Sequence, residues 1–255
     1  MRAAKQSLFI ILLALTQSSF ANTWIDWWQK MEWRPILTLG GGSAFATDVG
    51  QSQNFPIVDP ATDEFYNYAA SSNTQTATFY QGFIGAERPL CSNGLIQLGL
   101  EYNQVAPFTA KGILTQGVDV PSENSYNYSY NVIPRQLLVE TKLLYTLQQI
   151  VHPYFLVGLG ISLNKAYSYG TDAPPLLTFT RMYANHSNTA FSYALGLGVD
   201  ADVCPHVRVG AGYRFSDYGP VKLGNATIDT SNVAGTLTQS HLYINEILAE
   251  ISLIA

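Results

Sequence analysis

The sequence of 255 residues has little charge. Only 12% of its residues are Asp, Glu, Lys or Arg, against about 25% in an average soluble domain. The formal net charge is -5, so no excess of basic residues points to nucleic acid as a partner. A chain with so few charges is a poor candidate for an ordinary soluble domain.

Long hydrophobic runs are also missing, although 47% of the residues are hydrophobic and 13% are aromatic. After the N-terminal residues, no segment approaches the roughly 20 consecutive apolar residues of a membrane-spanning helix. Only helices and closed β-barrels satisfy every backbone polar group in lipid. A chain this apolar without spanning helices therefore suits a membrane β-barrel.

Cysteine and histidine are scarce. The only two cysteines, Cys91 and Cys204, cannot form a disulfide framework. They belong to two different predicted turns on opposite sides of the barrel, so we expect free thiols, with a single bridge as the alternative. No Cys or His residues occur at the spacing of metal ligands, and no metal or cofactor is predicted.

The N-terminus has the pattern of a secretory signal. Residues 1–5 include Arg2 and Lys5, residues 8–15 are an apolar stretch, and Ser19-Phe20-Ala21 ends with small residues. This pattern predicts a signal peptide over residues 1–21 that is cleaved after Ala21. Eight apolar residues span about 12 Å, too short for a membrane anchor.

Residues 22–35 contain all four tryptophans. Trp24, Trp27 and Trp28 are spaced i, i+3 and i+4, which predicts a short amphipathic helix with an aromatic stripe. Because tryptophan favours the headgroup zone, we expect this helix to anchor at the periplasmic membrane interface. A flexible leader, or a helix packed on another protein, is the alternative.

The remaining residues, 36–255, alternate apolar and polar side chains with the period of a strand. In residues 207–216, Val207, Val209, Ala211, Tyr213 and Phe215 share one face, and Arg208 and Arg214 share the other. The same alternation occurs in residues 36–46, 76–88, 95–103, 135–147, 155–164, 191–203 and 238–254. These eight segments predict an all-β fold, an eight-stranded antiparallel transmembrane β-barrel. A soluble β-sandwich and a ten-stranded barrel are the alternatives.

The connections between these segments alternate between short and long. The long ones cover residues 47–74, 107–131, 168–189 and 218–236. Short periplasmic turns and long external loops are typical of outer-membrane barrels.

Two segments carry a resemblance to a known family. Residues 210–219 read GAGYRFSDYG and residues 239–248 read QSHLYINEIL, and Gly-x-Gly strands cover residues 156–163 and 195–199. This pattern resembles the small opacity-type barrels related to the transmembrane domain of outer membrane protein A. The resemblance implies a bacterial outer-membrane location and contact with outer-membrane lipid and the barrel-assembly machinery. It also implies roles in adhesion, host contact or envelope integrity, or in some members a small channel.

The predicted register directs a set of charged side chains into the lumen. An eight-stranded barrel is only wide enough to be filled by side chains, and charges there must pair. We therefore expect a polar plug, with a gated or ion-selective pore as the alternative. The predicted lumen set is Glu87, Glu101, Glu140, Lys142, Asp200, Arg208, Arg214, Glu246 and Glu250.

The predicted loops offer candidates for contact with other surfaces. Tyr126, Tyr128 and Tyr130 alternate with Ser and Asn, a mixture typical of adaptable binding loops. A strand extended above the membrane, with the tyrosines in the outer aromatic girdle, explains the run equally well.

Serine and histidine occur together at His186-Ser187 and Ser240-His241, the latter near Glu246. Adjacent strand residues face opposite ways, so we expect no Ser-His-acid constellation and assign no catalytic residue. The predicted function is a non-enzymatic surface barrel with a plugged lumen, whose loops contact a host surface or extracellular ligand. The alternative is a narrow porin-like channel for ions or small solutes.

Overall fold

A computed structural model describes residues 33–58, 63–118, 124–174 and 179–255, and these residues form an all-antiparallel β structure. The first nine strands are β1 Arg34–Ala46, β2 Gln53–Val58, β3 Asp63–Ala70, β4 Gln75–Cys91, β5 Gly94–Val105, β6 Phe108–Val118, β7 Asn124–Ile133, β8 Arg135–Tyr145 and β9 Val151–Thr171. The others are β10 Met182–Tyr183, β11 His186–Cys204, β12 Val207–Asp217, β13 Val221–Lys222, β14 Ala226–Ile228, β15 Ser231–Val233, β16 Thr238–Gln239 and β17 Tyr243–Ile254.

Trp24, Trp27 and Trp28, the predicted signal peptide and most of the predicted interfacial helix lie outside the described residues. The end of that predicted helix is corrected, because Arg34 and Pro35 belong to β1 and pair with Glu87 and Ala86 of β4. Among the described residues, no helix is long and apolar enough to cross a membrane.

Eight strands close into a ring in the order β1, β4, β5, β8, β9, β11, β12 and β17, and β17 pairs again with β1. The pairing of β9 with β11 is the longest, from Ala166 opposite His186 to Val151 opposite Ala201. The prediction of an eight-stranded antiparallel barrel is confirmed. The ten-stranded alternative is wrong, because the additional strands do not enter the ring.

The two faces of the ring differ in chemistry as the alternation predicts. Side chains such as Leu39, Ile84, Leu159 and Leu197 project outward and are more than half exposed. The intervening positions point inward, where the polar and charged residues of the strands are buried. Apolar side chains outside and polar side chains inside are the reverse of the arrangement in a soluble protein. They are the arrangement of a barrel surrounded by lipid.

Two of the expected long loops are instead strands. Within residues 47–74 and 107–131, β2, β3, β6 and β7 extend the sheet beyond one end of the ring. β7 pairs with the outer part of β9, β6 pairs with β7, β3 with β6, and β2 with β3. We call these four strands, the outer part of β9 and residues 179–185 and 218–242 the cap. The prediction of loops was wrong because the period-two pattern continues past Pro107 and Pro134.

The cap has its own hydrophobic core. Residues 218–242 fold back over the mouth of the ring, and Val221, Leu223 and Leu237 are buried against the inner face of the extended sheet. The core continues down to Ile244 and Leu248 of β17. A cap packed in this way fills the space above the lumen instead of leaving a funnel.

The alternation gives a direct test of the membrane-facing surface. Replacing Leu159, which is 54% exposed in the middle of the apolar band, with Arg should lower the free energy of unfolding by about 2 to 4 kcal/mol, because it places a charge near the bilayer midplane. The matched control is Ile113→Arg, since Ile113 is 48% exposed on the outer face of the cap. Urea unfolding in lipid vesicles measures both variants, and equal losses would contradict the assigned membrane span.

Candidate functional site

The barrel interior contains three groups of charged residues, one above the other along the lumen. Near the short turns, Glu87 accepts hydrogen bonds from Arg34 and Arg208, each at 2.5 Å. Arg208 also binds Asp202 through Nε at 2.7 Å, and Asp202 lies 2.9 Å from Nε2 of His152. Each carboxylate in this group faces at least one cation or histidine, which closes the inner mouth with ion pairs.

The central group surrounds Lys142. Its ammonium group binds Glu250 and lies 3.6 Å from Asp200. It also lies 4.2 Å from the centre of the Tyr154 ring, a distance at which a cation is attracted to the aromatic face. Gln81 donates to the second oxygen of Glu250 at 3.2 Å. Side chains from five strands thus meet across the axis of the barrel.

The third group surrounds Arg214, which is fully buried. Its Nε binds Glu246 at 2.5 Å and its Nη1 binds Glu101 from the opposite side of the ring. Tyr218 and Asn103 donate to Glu246 at 3.1 and 3.2 Å. One guanidinium group therefore connects β12, β17 and β5 through two carboxylates.

The lumen set predicted from the sequence lies in these groups. All nine of its side chains are buried within the ring, and all but Glu140 belong to the ion pairs described above. Glu140 lies between the central and third groups, and its Oε2 has no hydrogen-bond partner among the described residues. The sequence pattern did not reveal that Arg34, Asp202 and His152 extend the ion pairs to the inner mouth.

A second closure lies at the outer mouth. The chain turns inward after β12, and lumen side chains hold it there: Ser192 donates to the carbonyl of Asp217 at 2.6 Å, and Asn164 donates to that of Tyr218 at 2.7 Å. Asn164 also donates to the carbonyl of Pro220 at 3.0 Å. The loop therefore helps to close the outer end of the lumen.

An aromatic cluster occupies the cap above this mouth. The ring centres of Tyr68 and Tyr128 are 5.1 Å apart, those of Tyr68 and Tyr183 are 5.9 Å apart, and those of Tyr169 and Tyr183 are 4.9 Å apart, each pair with the edge-to-face geometry that aromatic rings favour. Burial raises the pKa of Tyr128 to about 12. The cluster is therefore neutral at physiological pH and acts as apolar packing.

Arg181 connects this cluster to the rest of the cap. It is 1% exposed, and its guanidinium group lies 4.5 Å from the centre of the Phe55 ring. It donates to the carbonyls of Ala234 and Gly235. This one side chain links the β2–β3 hairpin, the segment before β11 and the loop that covers the mouth.

The three tyrosines predicted as a contact surface do not lie together on the outside. Tyr128 and Tyr130 are each 3% exposed, because β7 points them into the cap core, while Tyr126 is partly buried. The surface-contact interpretation of Tyr128 and Tyr130 is therefore corrected. The run extends a strand above the barrel, as the alternative expected, but with its rings inward.

Ser240, His241 and Glu246 do not form a triad. Ser240 bonds Gln51 through its hydroxyl, His241 lies 2.8 Å from Asp217, and Glu246 is in the lumen with Arg214. Cys91 and Cys204 are exposed free thiols. In the described part of the chain, no three Cys, His, Asp or Glu residues are placed to hold a metal ion.

The ion pairs around Arg214 predict a large stability loss for one substitution. Arg214→Gln should destabilise the protein by about 3 to 5 kcal/mol, because it leaves two buried carboxylates without their cation. Adding Glu101→Gln and Glu246→Gln should recover most of that loss. Arg88→Gln, an outward-facing arginine at the end of β4, is the control. Urea unfolding at neutral pH measures the stability of each variant. A triple variant no more stable than Arg214→Gln would contradict the pairing.

The chain aligns at low identity with several proteins of known structure. No curated protein matches the chain. Among solved structures, Neisserial surface protein A aligns over 85% of this chain and 96% of its own at 15% identity with a TM-score of 0.39. OprG from Pseudomonas aeruginosa aligns over 85% and 95% at 12% identity with a TM-score of 0.49. Ail of Yersinia pestis aligns over 88% and 100% at 10% identity with a TM-score of 0.36.

The family comparison covers most of the barrel. The model described as the outer membrane protein beta-barrel domain matches residues 36–238, which include seven of the eight ring strands almost completely. The chain therefore belongs to the outer membrane protein beta-barrel family, and its location is the bacterial outer membrane.

Proposed function

We propose that the protein is a closed, non-enzymatic surface barrel that contacts a host surface or extracellular ligand through its cap. The observation that carries this proposal is the presence of two closures in series. Ion pairs cross the lumen at three levels, and the packed cap covers the outer mouth. A barrel closed twice is better suited to presenting a surface than to passing solutes.

The orientation of the barrel supports this role. Short turns face the periplasm and long connections face the outside in outer-membrane barrels. The cap is built from the long connections, so it projects from the cell. Its four-strand extension gives the projecting part a rigid frame, which preserves the shape of a contact surface.

Two exposed apolar residues mark a candidate contact region on the cap. Phe179 is 63% exposed and Met182 is 46% exposed. The carbonyl of Phe179 accepts a hydrogen bond from Tyr66 at 2.7 Å, and Met182 pairs with Thr227. Their backbones are thus fixed to the cap while their side chains face outward. Aromatic residues and methionine are enriched in protein interfaces.

A narrow channel is the second candidate, favoured by the charge of the lumen. Seven carboxylates lie along it against four cations: Glu87, Glu101, Glu140, Asp200, Asp202, Glu246 and Glu250, with Arg34, Lys142, Arg208 and Arg214. A surplus of acidic groups would favour cations over anions in a hydrated path.

Adhesion tests the proposed contact. Cells displaying the wild-type protein should bind epithelial monolayers or matrix-coated surfaces more than cells with an empty vector, and Phe179→Ser with Met182→Ser should remove most of that gain. Val203→Ser, an apolar position that is 67% exposed at the opposite end of the barrel, is the control. Wild-type adhesion no greater than that of the empty vector would contradict the proposal.

Conductance separates the two candidates. The refolded wild-type protein, shown by circular dichroism to be rich in β structure, should give no single-channel steps in a planar bilayer, because ion pairs and the cap block the path. Stable cation-selective steps that change in Arg214→Ala would favour the channel and contradict a closed barrel.

A further inference from the structure

Three cations on the outer face of the sheet differ from those in the lumen. Lys111 on β6, Arg135 on β8 and Lys165 on β9 alternate with buried neighbours, and their side chains point away from the interior. Each of the four lumen cations pairs with a carboxylate. These three make no ion pair with any residue in the described ranges.

Two of them lie where the apolar band ends on the cap side. On β9, the exposed Ile161 and Leu163 are followed on the same face by Lys165, and on β8 the exposed Leu137 is preceded by Arg135. The cap faces the outside. Arg135 and Lys165 therefore lie at the headgroup level of the outer leaflet.

Their spacing suits a shared anion. Ile133 pairs with Lys165, and Arg135 follows Ile133 by two residues along the same edge of β9. The two cations are diagonal neighbours at roughly 7 to 8 Å between their backbones, close enough for both side chains to reach one phosphate. Neither cation has a carboxylate partner among the described residues, and the Nζ of Lys165 lies 5.4 Å from the centre of the Tyr167 ring.

A cleft continues this surface outward along the cap. It has a volume of about 680 Å³, and its lining includes Lys111, Asn127, Asp172 and the apolar Ile113. Asn127 donates to Asp172 at 2.7 Å. Polar groups around an apolar floor suit a sugar ring, which has hydroxyls at its edge and C–H groups on its face.

The rest of the outer rim has different chemistry. Five of the six other ring strands present exposed aromatic side chains near this level, namely Tyr80, Tyr102, Phe191, Tyr213 and Tyr243. His241, also near the rim, is already paired with Asp217. Lys222, the other exposed lysine of the cap, belongs to β13 over the mouth and not to the outer face of the ring. Within the described residues, the cations of the outer face at this level are thus confined to the side of the barrel formed by β6, β7, β8 and β9.

We infer that this sector binds the phosphorylated glycolipid of the outer leaflet, with Arg135 and Lys165 on a headgroup phosphate and the cleft beside Lys111 against the sugar. Charge-assisted hydrogen bonds from Arg and Lys are the usual means of holding phosphate. The site fixes one side of the barrel to the glycolipid and leaves the aromatic side in contact with ordinary headgroups.

Lipid titration followed by native mass spectrometry tests this site. The detergent-solubilised protein is titrated with bisphosphorylated lipid A, with its dephosphorylated form and with phosphatidylglycerol. The wild type should bind bisphosphorylated lipid A about tenfold or more tightly than either other lipid, and Arg135→Gln with Lys165→Gln should remove that preference. Arg88→Gln is the control, because Arg88 also faces outward but lies at the opposite end of the band.

Three results would overturn the inference: equal binding of dephosphorylated lipid A, equal binding of phosphatidylglycerol, or an equal loss in Arg88→Gln. Excess inorganic phosphate is added in a further arm, and it should displace little lipid, since the sugar and acyl chains contribute to binding. Complete displacement by phosphate would reduce the site to a free-anion site and also overturn the inference. Heat-modified mobility on gels confirms that each variant is folded.

Discussion

The structure depends on one constraint, that no backbone polar group can be left unbonded in lipid. The pairing of β9 with β11 meets this constraint by closing the ring without an edge. Closure by eight strands makes the lumen narrow, and the polar side chains of every strand must then share it. Some positions accordingly have little room for a side chain: a Cβ at Gly210 would clash with Oδ1 of Asp200, and that carboxylate would have to shift.

The narrow lumen also explains why the charges pair across the barrel. Glu101 and Arg214 are 113 residues apart and lie on strands that are not neighbours. The lumen is narrow enough for their side chains to form a direct ion pair across it. Burying a charge without a partner is far more costly than burying a pair. The ion pairs therefore allow acidic and basic residues to be buried in the lumen. Each pair adds little net stability.

The parts of this structure that the sequence predicts are those set by a contrast between lipid and lumen. Leu159 and its neighbours face hydrocarbon while Ser162 and Asn164 face polar groups, so alternation identifies β9 and gives its register. Above the membrane the alternation continues, with Tyr128 inward and Asn127 and Ser129 outward. Asn, Ser and Tyr are also common in binding loops, and the cap strands were therefore missed. The partners of the lumen charges were also beyond prediction, since pairing across a ring depends on the shear of the barrel and not on spacing along the chain.

The two closures differ in physical character, although hydrogen bonds from Ser192 and Asn164 join the loop of the cap to the ring. The lumen is closed by charge pairs between ring strands, and these pairs do not involve the cap strands. The outer mouth is closed by apolar packing of residues 218–242 against those strands. Changes on the outer surface of the cap therefore leave the lumen pairs intact, since the backbone of the ring fixes their geometry. A rigid, closed ring whose cap has its own outer surface can thus present different surfaces to the outside without loss of the barrier.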